Sequence, residues 1–235
     1  MRVLLCAAAA CTALVIVSGC GGPAPVRQPA TAASANASPS AAVPATSSPT
    51  PSPALTPAPA DYRRVFPVEG KSSYGRTHHD YPATDIFANC GLPVRAVIDG
   101  TVLEVSRVDR FDPNNPRGAD KGGRSVSLLG DDGVRYYGSH LTTVLDGIEA
   151  GKRVTAGQQL GTVGRTGNAS NTCHLHFGIS PPCQRTADWW VRRGAVYPWR
   201  YLDAWRAGKS LSPVAEVTAW QQAHGCPTTP PAGER

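Results

Sequence analysis

The sequence lacks several features that would mark familiar classes of protein. It contains no Cys-x-x-Cys pair, which argues against a four-cysteine zinc site. No basic patch is interleaved with aromatic residues, so nucleic acid is not an expected partner. Residues 21–60 contain no aromatic residue and a single charged one, Arg27. This stretch therefore lacks the apolar surface that a folded core requires.

The sequence is also short of a membrane-spanning run. The apolar stretch from Val3 to Val17 is too short for a comfortable span. It follows Arg2 and is succeeded at once by small residues, so residues 1–19 are predicted to be a secretory signal peptide. Val17-Ser18-Gly19-Cys20 resembles a bacterial lipobox, which predicts that Cys20 is lipidated and becomes the mature N-terminus. An ordinary signal peptide is the alternative.

Residues 20–60 are predicted to be a lipid anchor followed by a disordered tether. They are nearly all Ala, Pro, Ser, Thr and Gly, and such a segment cannot offset the entropy cost of ordering. Its prolines extend it in part. We therefore expect an extracytoplasmic domain, lipid-anchored a short distance above the outer face of a bacterial cell membrane.

Residues 61–235, about 175 in number, have a normal size for one domain. They hold 17 acidic and 21 basic residues, a formal charge of +4. This mild excess suits contact with an anionic polymer such as a cell wall, and it is also common in proteins without that role. Their cysteine count is even, which in an exported protein suggests disulfides whose pairing composition alone does not fix. The four are Cys90, Cys173, Cys183 and Cys226.

Short apolar runs separated by turn signals predict a β-rich core from about residue 65 to 180. Leu92–Ile98 and Thr101–Val108 are predicted to form a hairpin through the turn dipeptide Asp99-Gly100. Regularly spaced glycines from Gly151 to Gly164 suit tight corners in a small barrel or sandwich. His174–Ser180 is the last clear strand.

The composition changes after Pro181, where all five tryptophans lie. Tyr197–Gly208 predicts a short helix, with Pro198 near its first turn and Gly208 at its end. The tryptophans fit either a carbohydrate-stacking surface or a packed C-terminal cap. The cap is favoured, because the aromatic residues are spread through mixed polar sequence. We therefore expect residues 181–235 to form an extension that packs on the core.

The segment Cys173-His174-Leu175-His176-Phe177 is the strongest functional signal. Side chains alternate along a strand, so His174 and His176 share one face, about 7 Å apart. A solitary His140 and an upstream cluster, His78-His79-Asp80 with Asp85, supply further imidazoles and carboxylates. These are the parts of a catalytic zinc site, which takes three protein ligands and lowers the pKa of its water to about 7. A nearby histidine can then transfer a proton, typically worth about 10²–10⁴-fold in rate.

Several segments, in order, resemble the motifs of the M23 zinc metallopeptidases of the lysostaphin and LytM type. The resemblance covers roughly residues 74–180. It implies a duplicated hybrid motif-like β-barrel or sandwich, a zinc ion, and cleavage of peptide bonds in bacterial peptidoglycan. The segments are Asp85-Ile86-Phe87-Ala88 with Gly91–Ala96 and Asp99–Val102; Tyr137-Gly138-Ser139-His140-Leu141; Gly151–Gly164; and His174-Leu175-His176-Phe177.

By this resemblance Asp85 and His176 are zinc ligands, and His140 and His174 are catalytic histidines beside the metal. The family's first motif separates its histidine from the aspartate by three residues, whereas here His79 precedes Asp85 by six positions and His78 by seven. We take His79 as the third ligand, with His78 as the alternative. The widened loop must bulge to bring either back to the metal.

The same reasoning predicts two disulfides. If Asp85 and His176 reach one metal, their strands are close, and Cys90 and Cys173 can come within bonding range. Cys183–Cys226 would then pin the tryptophan-rich tail near the end of the last core strand.

The sequence thus predicts a zinc metalloendopeptidase domain at 61–180 that hydrolyses peptidoglycan, acts as a monomer and reaches the membrane through its N-terminal lipid. The alternative is a catalytically inactive M23-like lipoprotein that binds the wall or regulates an amidase. A biotinyl- or lipoyl-carrier domain has similar glycine spacing, but no lysine here lies at a hairpin tip flanked by methionines, since Met1 is the only methionine. The bond cleaved stays open between a glycine bridge, a D-Ala to diaminopimelate link and a non-wall peptide.

Overall fold

The computed structural model of the protein describes residues 61–184 and 186–232. The predicted signal peptide, the lipidation site Cys20 and the tether up to residue 60 lie outside these residues. Within the described ranges, no helix combines the length and the apolar character needed to cross a membrane.

In the described part of the chain, ten strands form two antiparallel sheets. The larger sheet has seven strands in the order β1-β2-β10-β6-β5-β4-β8, and the smaller has three in the order β3-β9-β7. The last strand, β10, lies between β2 and β6 and so joins the first strands of the domain to its middle. The strands are β1 (Ser72–Tyr74), β2 (Thr84–Ala88), β3 (Pro93–Arg95), β4 (Gly100–Ser106), β5 (Ser125–Gly130), β6 (Arg135–Ser139), β7 (Thr143–Val144), β8 (Arg153–Val154), β9 (Gln159–Thr162) and β10 (His174–Ser180).

Both faces of β10 are buried, and each has its own character. Leu175, Phe177 and Ile179 point into the hydrophobic core. The alternate residues, His174, His176 and Gly178, follow one another along the opposite face. The alternation of side chains along β10 therefore places its apolar residues in the core and both histidines together on the opposite face, as the sequence predicts. The mostly β fold class is likewise confirmed.

The predicted hairpin through Asp99-Gly100 is wrong. β3 pairs with β9 in the smaller sheet, whereas β4 pairs with β5 and β8 in the larger one. The connecting residues cross between the sheets: the Ala96 amide donates to Gln158 O at 2.9 Å, and Asp99 O accepts from the Asp131 amide at 2.9 Å. Ala96, Val97 and Ile98 are buried in this crossing, which explains the apolar run.

Among the residues described after β10, three α-helices are present: α1 (Trp189–Arg192), α2 (Trp199–Arg206) and α3 (Val214–His224). The predicted helix Tyr197–Gly208 is observed as α2. Its buried side chains join the hydrophobic cluster of the sheets, together with Val217 of α3. Because these side chains belong to the same cluster as those of the strands, the extension is part of the core of the domain. Burying each large apolar side chain contributes roughly 1.5–3 kcal/mol to the stability of the fold.

The tryptophans of the extension are packed to different degrees. Trp189 and Trp205 are buried, and the Trp205 indole N–H donates to Leu211 O at 2.9 Å. Trp190, Trp199 and Trp220 are half-buried. This arrangement agrees with a packed cap more closely than with an open stacking surface.

Candidate metal centre

The centre is built on a cross-strand pair. β2 and β10 are antiparallel, and Asp85 lies directly opposite His176 in their register. The His176 Nδ1–H donates to Asp85 Oδ1 at 2.9 Å. Two residues 91 positions apart in the sequence are therefore brought together by strand pairing alone.

His78 completes a group of three possible ligands. One ligand atom from each of His78, Asp85 and His176 can be chosen so that all lie within 4.8 Å of one another. The His78 Nε2 is 3.8 Å from Asp85 Oδ2, and the His78 side chain is only 6% exposed.

His79, the ligand that the sequence analysis prefers, lies outside this group. Its side chain is 74% exposed, and its Nε2 is 3.2 Å from Asp80 Oδ2. His78 packs instead against Tyr81 and the edge of the His176 ring, with ring centroids 4.5 and 5.1 Å away. The loop between β1 and β2 thus turns His78 inward and leaves His79 exposed. The two residues differ by only one position in their distance from Asp85, so the sequence gives no basis for choosing between them.

The two histidines predicted to be catalytic stand beside the group. The His140 Nδ1–H donates to Thr166 O at 2.7 Å, and the His174 Nδ1–H donates to Thr172 O at 2.9 Å. A carbonyl oxygen can only accept, so both rings carry a proton at Nδ1, and a neutral ring then keeps its lone pair at Nε2. The centroids of the His140 and His174 rings are 4.6 Å apart, and the His174 Nε2 is 3.9 Å from Asp85 Oδ1.

Burial sets the protonation of this centre. It is the largest cause that lowers the pKa of His140 to about 3, followed by the charges of His176 and His174. Burial also leads the causes that lower the pKa of His78 to about 4. Burial alone would raise the pKa of Asp85, but the hydrogen bond from His176 and the neighbouring imidazoles hold it at about 2. A carboxylate and neutral imidazoles are the forms that bind a metal cation.

His140 has a backbone conformation that few side chains adopt. Its φ is 65°, in the left-handed region. The conformation is held by hydrogen bonds on both sides, from the His140 amide to Gly122 O at 2.9 Å and from the imidazole to Thr166 O. Non-glycine residues in such conformations are concentrated at functional sites.

The extension also reaches the centre, which the sequence analysis missed. The His176 Nε2–H donates to Arg193 O at 2.9 Å. A backbone carbonyl has no signature in residue type, so only the fold could reveal it. The centre lies in a cleft of about 250 Å³. Side chains from the core and the extension line it, among them Lys121, Tyr137, Asn168, Trp189, Arg192 and Arg193.

Two disulfides frame this region, with the same pairs that the sequence analysis predicts. Cys90–Cys173 joins the segment after β2 to the residue before β10, with a Cα–Cα distance of 5.2 Å. Cys183–Cys226 joins the start of the extension to its end, with a Cα–Cα distance of 5.3 Å.

Comparison with known proteins adds a family match. Residues 79–187 match the model of peptidase family M23. The chain is 32% identical over 137 residues to an L-Ala–D-Glu endopeptidase of Bacillus subtilis, covering 56% of this chain and 36% of that protein. It is 34% identical over 111 residues to the glycyl-glycine endopeptidase ALE-1 of Staphylococcus capitis, covering 47% of this chain and 25% of that protein. The chain therefore spans about a quarter to a third of the length of these curated relatives.

A solved structure, the catalytic domain of the antimicrobial peptidase lysostaphin from Staphylococcus simulans, superposes with a TM-score of 0.42 at 24% identity. The match covers 61% of this chain and 93% of that one.

Proposed function

Because residues 79–187 match the model of peptidase family M23, we propose that the protein is a zinc-dependent endopeptidase that hydrolyses peptide bonds of bacterial peptidoglycan. The observation that carries this proposal is the convergence of His78, Asp85 and His176 beside two further histidines in one cleft. The predicted secretion and lipidation would place this activity outside the cytoplasm, at the membrane surface.

The donor set fits zinc. Two imidazoles and one carboxylate are the ligands that catalytic zinc sites use, and three protein ligands leave a further position open. His78, Asp85 and His176 would hold the ion, with His78 taking the role that the sequence analysis gives to His79. When bound, zinc supplies a Lewis acid that polarises a carbonyl and acidifies water.

His140 and His174 would move the protons of the reaction. Hydrolysis forms a C–O bond, breaks the C–N bond and transfers a proton from water to the departing amine. A neutral Nε2 on either ring can accept that proton and return it to the amine, because the Nδ1 atoms are tied to backbone carbonyls. The ring that has gained this proton at Nε2 can also donate a hydrogen bond to the oxyanion that develops on the carbonyl.

Metal analysis and digestion of peptidoglycan test the proposal together. The purified protein should contain one zinc per chain and release new amino termini from peptidoglycan. Asp85→Ala should lose both properties, and His224→Ala is the matched control, because this exposed histidine lies on α3. Digests of walls with and without glycine bridges distinguish the bond that is cut.

Full zinc occupancy without cleavage of any peptidoglycan type would refute the enzymatic function. That result would favour the inactive wall-binding or amidase-regulating alternative.

A further inference from the structure

We propose that the C-terminal extension is part of the metal centre, with the Arg193 carbonyl as the positioning group for His176. This inference rests on the proposed zinc site. The His176 ring makes two hydrogen bonds, one through Nδ1 to Asp85 and one through Nε2 to Arg193 O, both at 2.9 Å. The Asp85 carboxylate and the Arg193 oxygen can only accept, so the metal-free ring carries a proton on each nitrogen. A metal bound beside Asp85 would displace the proton on Nδ1, whereas the Arg193 oxygen keeps the proton on Nε2.

His176 is thereby oriented in the opposite sense to its neighbours. His140 and His174 bond to carbonyls through Nδ1 and turn Nε2 to the centre, whereas His176 bonds to a carbonyl through Nε2 and turns Nδ1 to Asp85. Hydrogen-bond partners of this kind fix the tautomer and the ring orientation of a ligating histidine. His176 thus differs from both proton carriers in which nitrogen faces the centre.

The approach of Arg193 depends on a glycine in β10. Gly178 is on the same face as His176, two residues further along the strand. A Cβ at Gly178 would contact the Arg193 carbonyl oxygen, would lie 2.7 Å from the Arg193 carbonyl carbon and would be 3.1 Å from Arg192 O. These contacts are with backbone, which a side-chain rotation cannot relieve. Any larger residue at 178 would therefore displace the carbonyl.

A second glycine, Gly194, allows close packing on the other side of the same peptide group. Gly194 has a φ of 146°, and a Cβ there would meet the Pro82 carbonyl and lie 3.2 Å from the Ala83 Cβ. The peptide that carries the Arg193 oxygen therefore lies between β10 and the residues that lead into β2.

Two further contacts hold the segment in place. Asp188, just before α1, forms a fully buried bidentate ion pair with Arg135 of β6, at 2.5 and 3.0 Å. The Trp189 ring packs on Gly118, where a Cβ would overlap it. The segment that carries the Arg193 carbonyl is thus anchored by an ion pair and by an aromatic contact, as a positioning role requires.

Two substitutions and their controls test the inference in the full-length protein. Gly178→Ala and Gly194→Ala displace the Arg193 carbonyl from opposite sides. Gly138→Ala is the control for a strand glycine, since its Cβ would meet only the end of Leu175 at 3.1 Å. Gly208→Ala is the control for positive φ, because nothing lies within 4 Å of its added Cβ.

The measurement is zinc affinity, by competition with a chelator, beside the unfolding midpoint of the metal-free protein. Both test variants should bind zinc about 10–100-fold more weakly than wild type, the range typical for loss of a partner of a ligating histidine. The controls should bind as wild type, even where their unfolding midpoint falls.

Nitrogen NMR of the zinc-loaded wild type gives a readout that folding defects do not affect. His176 should carry its proton on Nε2 and ligate through Nδ1. Ligation through Nε2, or wild-type zinc affinity in both test variants, would overturn the inference while leaving the zinc site intact. Absence of zinc binding in the wild type would instead remove the proposed site and this inference with it. If Gly178→Ala fails to fold, Gly194→Ala and the spectrum decide.

Discussion

The buried ion pair between Arg135 and Asp188 allows a quantitative prediction. Both side chains are 0% exposed, the pair is bidentate, and the Arg135 Nε–H also donates to Ser180 Oγ at 3.0 Å. Asp188→Asn keeps the shape of the side chain and removes its charge. The guanidinium would then be buried without a counter-charge, which costs about 3–5 kcal/mol. Since domains are stable by about 5–15 kcal/mol, this is a large share of the total.

Urea unfolding monitored by tryptophan fluorescence measures this cost. The matched control is Asp131→Asn, because Asp131 makes the same bidentate contact with Arg153, at 2.6 and 2.8 Å, on the surface. Water solvates the arginine that this control releases, so its free energy of unfolding should stay close to that of wild type.

A double variant, Arg135→Met with Asp188→Leu, should be more stable than Asp188→Asn, because it removes both charges together. The reasoning would be refuted if Asp188→Asn cost no more than Asp131→Asn.

Three further results are expected. His78→Ala should strip zinc from the purified protein and His79→Ala should spare it, as metal analysis would show; the reverse result would exchange the two assignments. His140→Ala and His174→Ala should keep zinc but lower kcat for peptide hydrolysis by about 10²–10⁴-fold, and retained activity in both would contradict their role as proton carriers. Replacing both cysteines of the bridge between β2 and β10 with serine should lower the free energy of unfolding by up to about 4.5 kcal/mol, the chain-entropy value for a sequence separation of 83 residues. No loss in urea unfolding would contradict this last expectation.

The parts of the site that sequence could predict are those encoded by residue type and short spacing. The alternation of His174 and His176 along one strand needs only the period of a β-strand. The choice between His78 and His79 depends on how a loop turns, and adjacent residues of one type give no basis for it. The contribution of Arg193 is a backbone atom, so its identity as arginine carries no information.

The fold shows the same division. Strand segments such as β5, β6 and β10 follow from apolar patterning. The failure of the predicted hairpin has a long-range cause: β3 finds its partner in β9, more than sixty residues later, and no local turn signal can report that pairing.

The register between Asp85 and His176 determines where the chain can tolerate insertions and deletions. Inserting one residue between His174 and Leu175 would place Leu175 opposite Asp85 if His174 kept its pairing with Phe87, because each later residue then moves one place along the register. Either the core would lose its apolar face or the centre would lose its ligand. The loop that carries His78 belongs to no strand, so its length can change without shifting this pairing. Additions and deletions should therefore be accommodated at the exposed residues 75–77, ahead of His78, and rejected within β2 and β10.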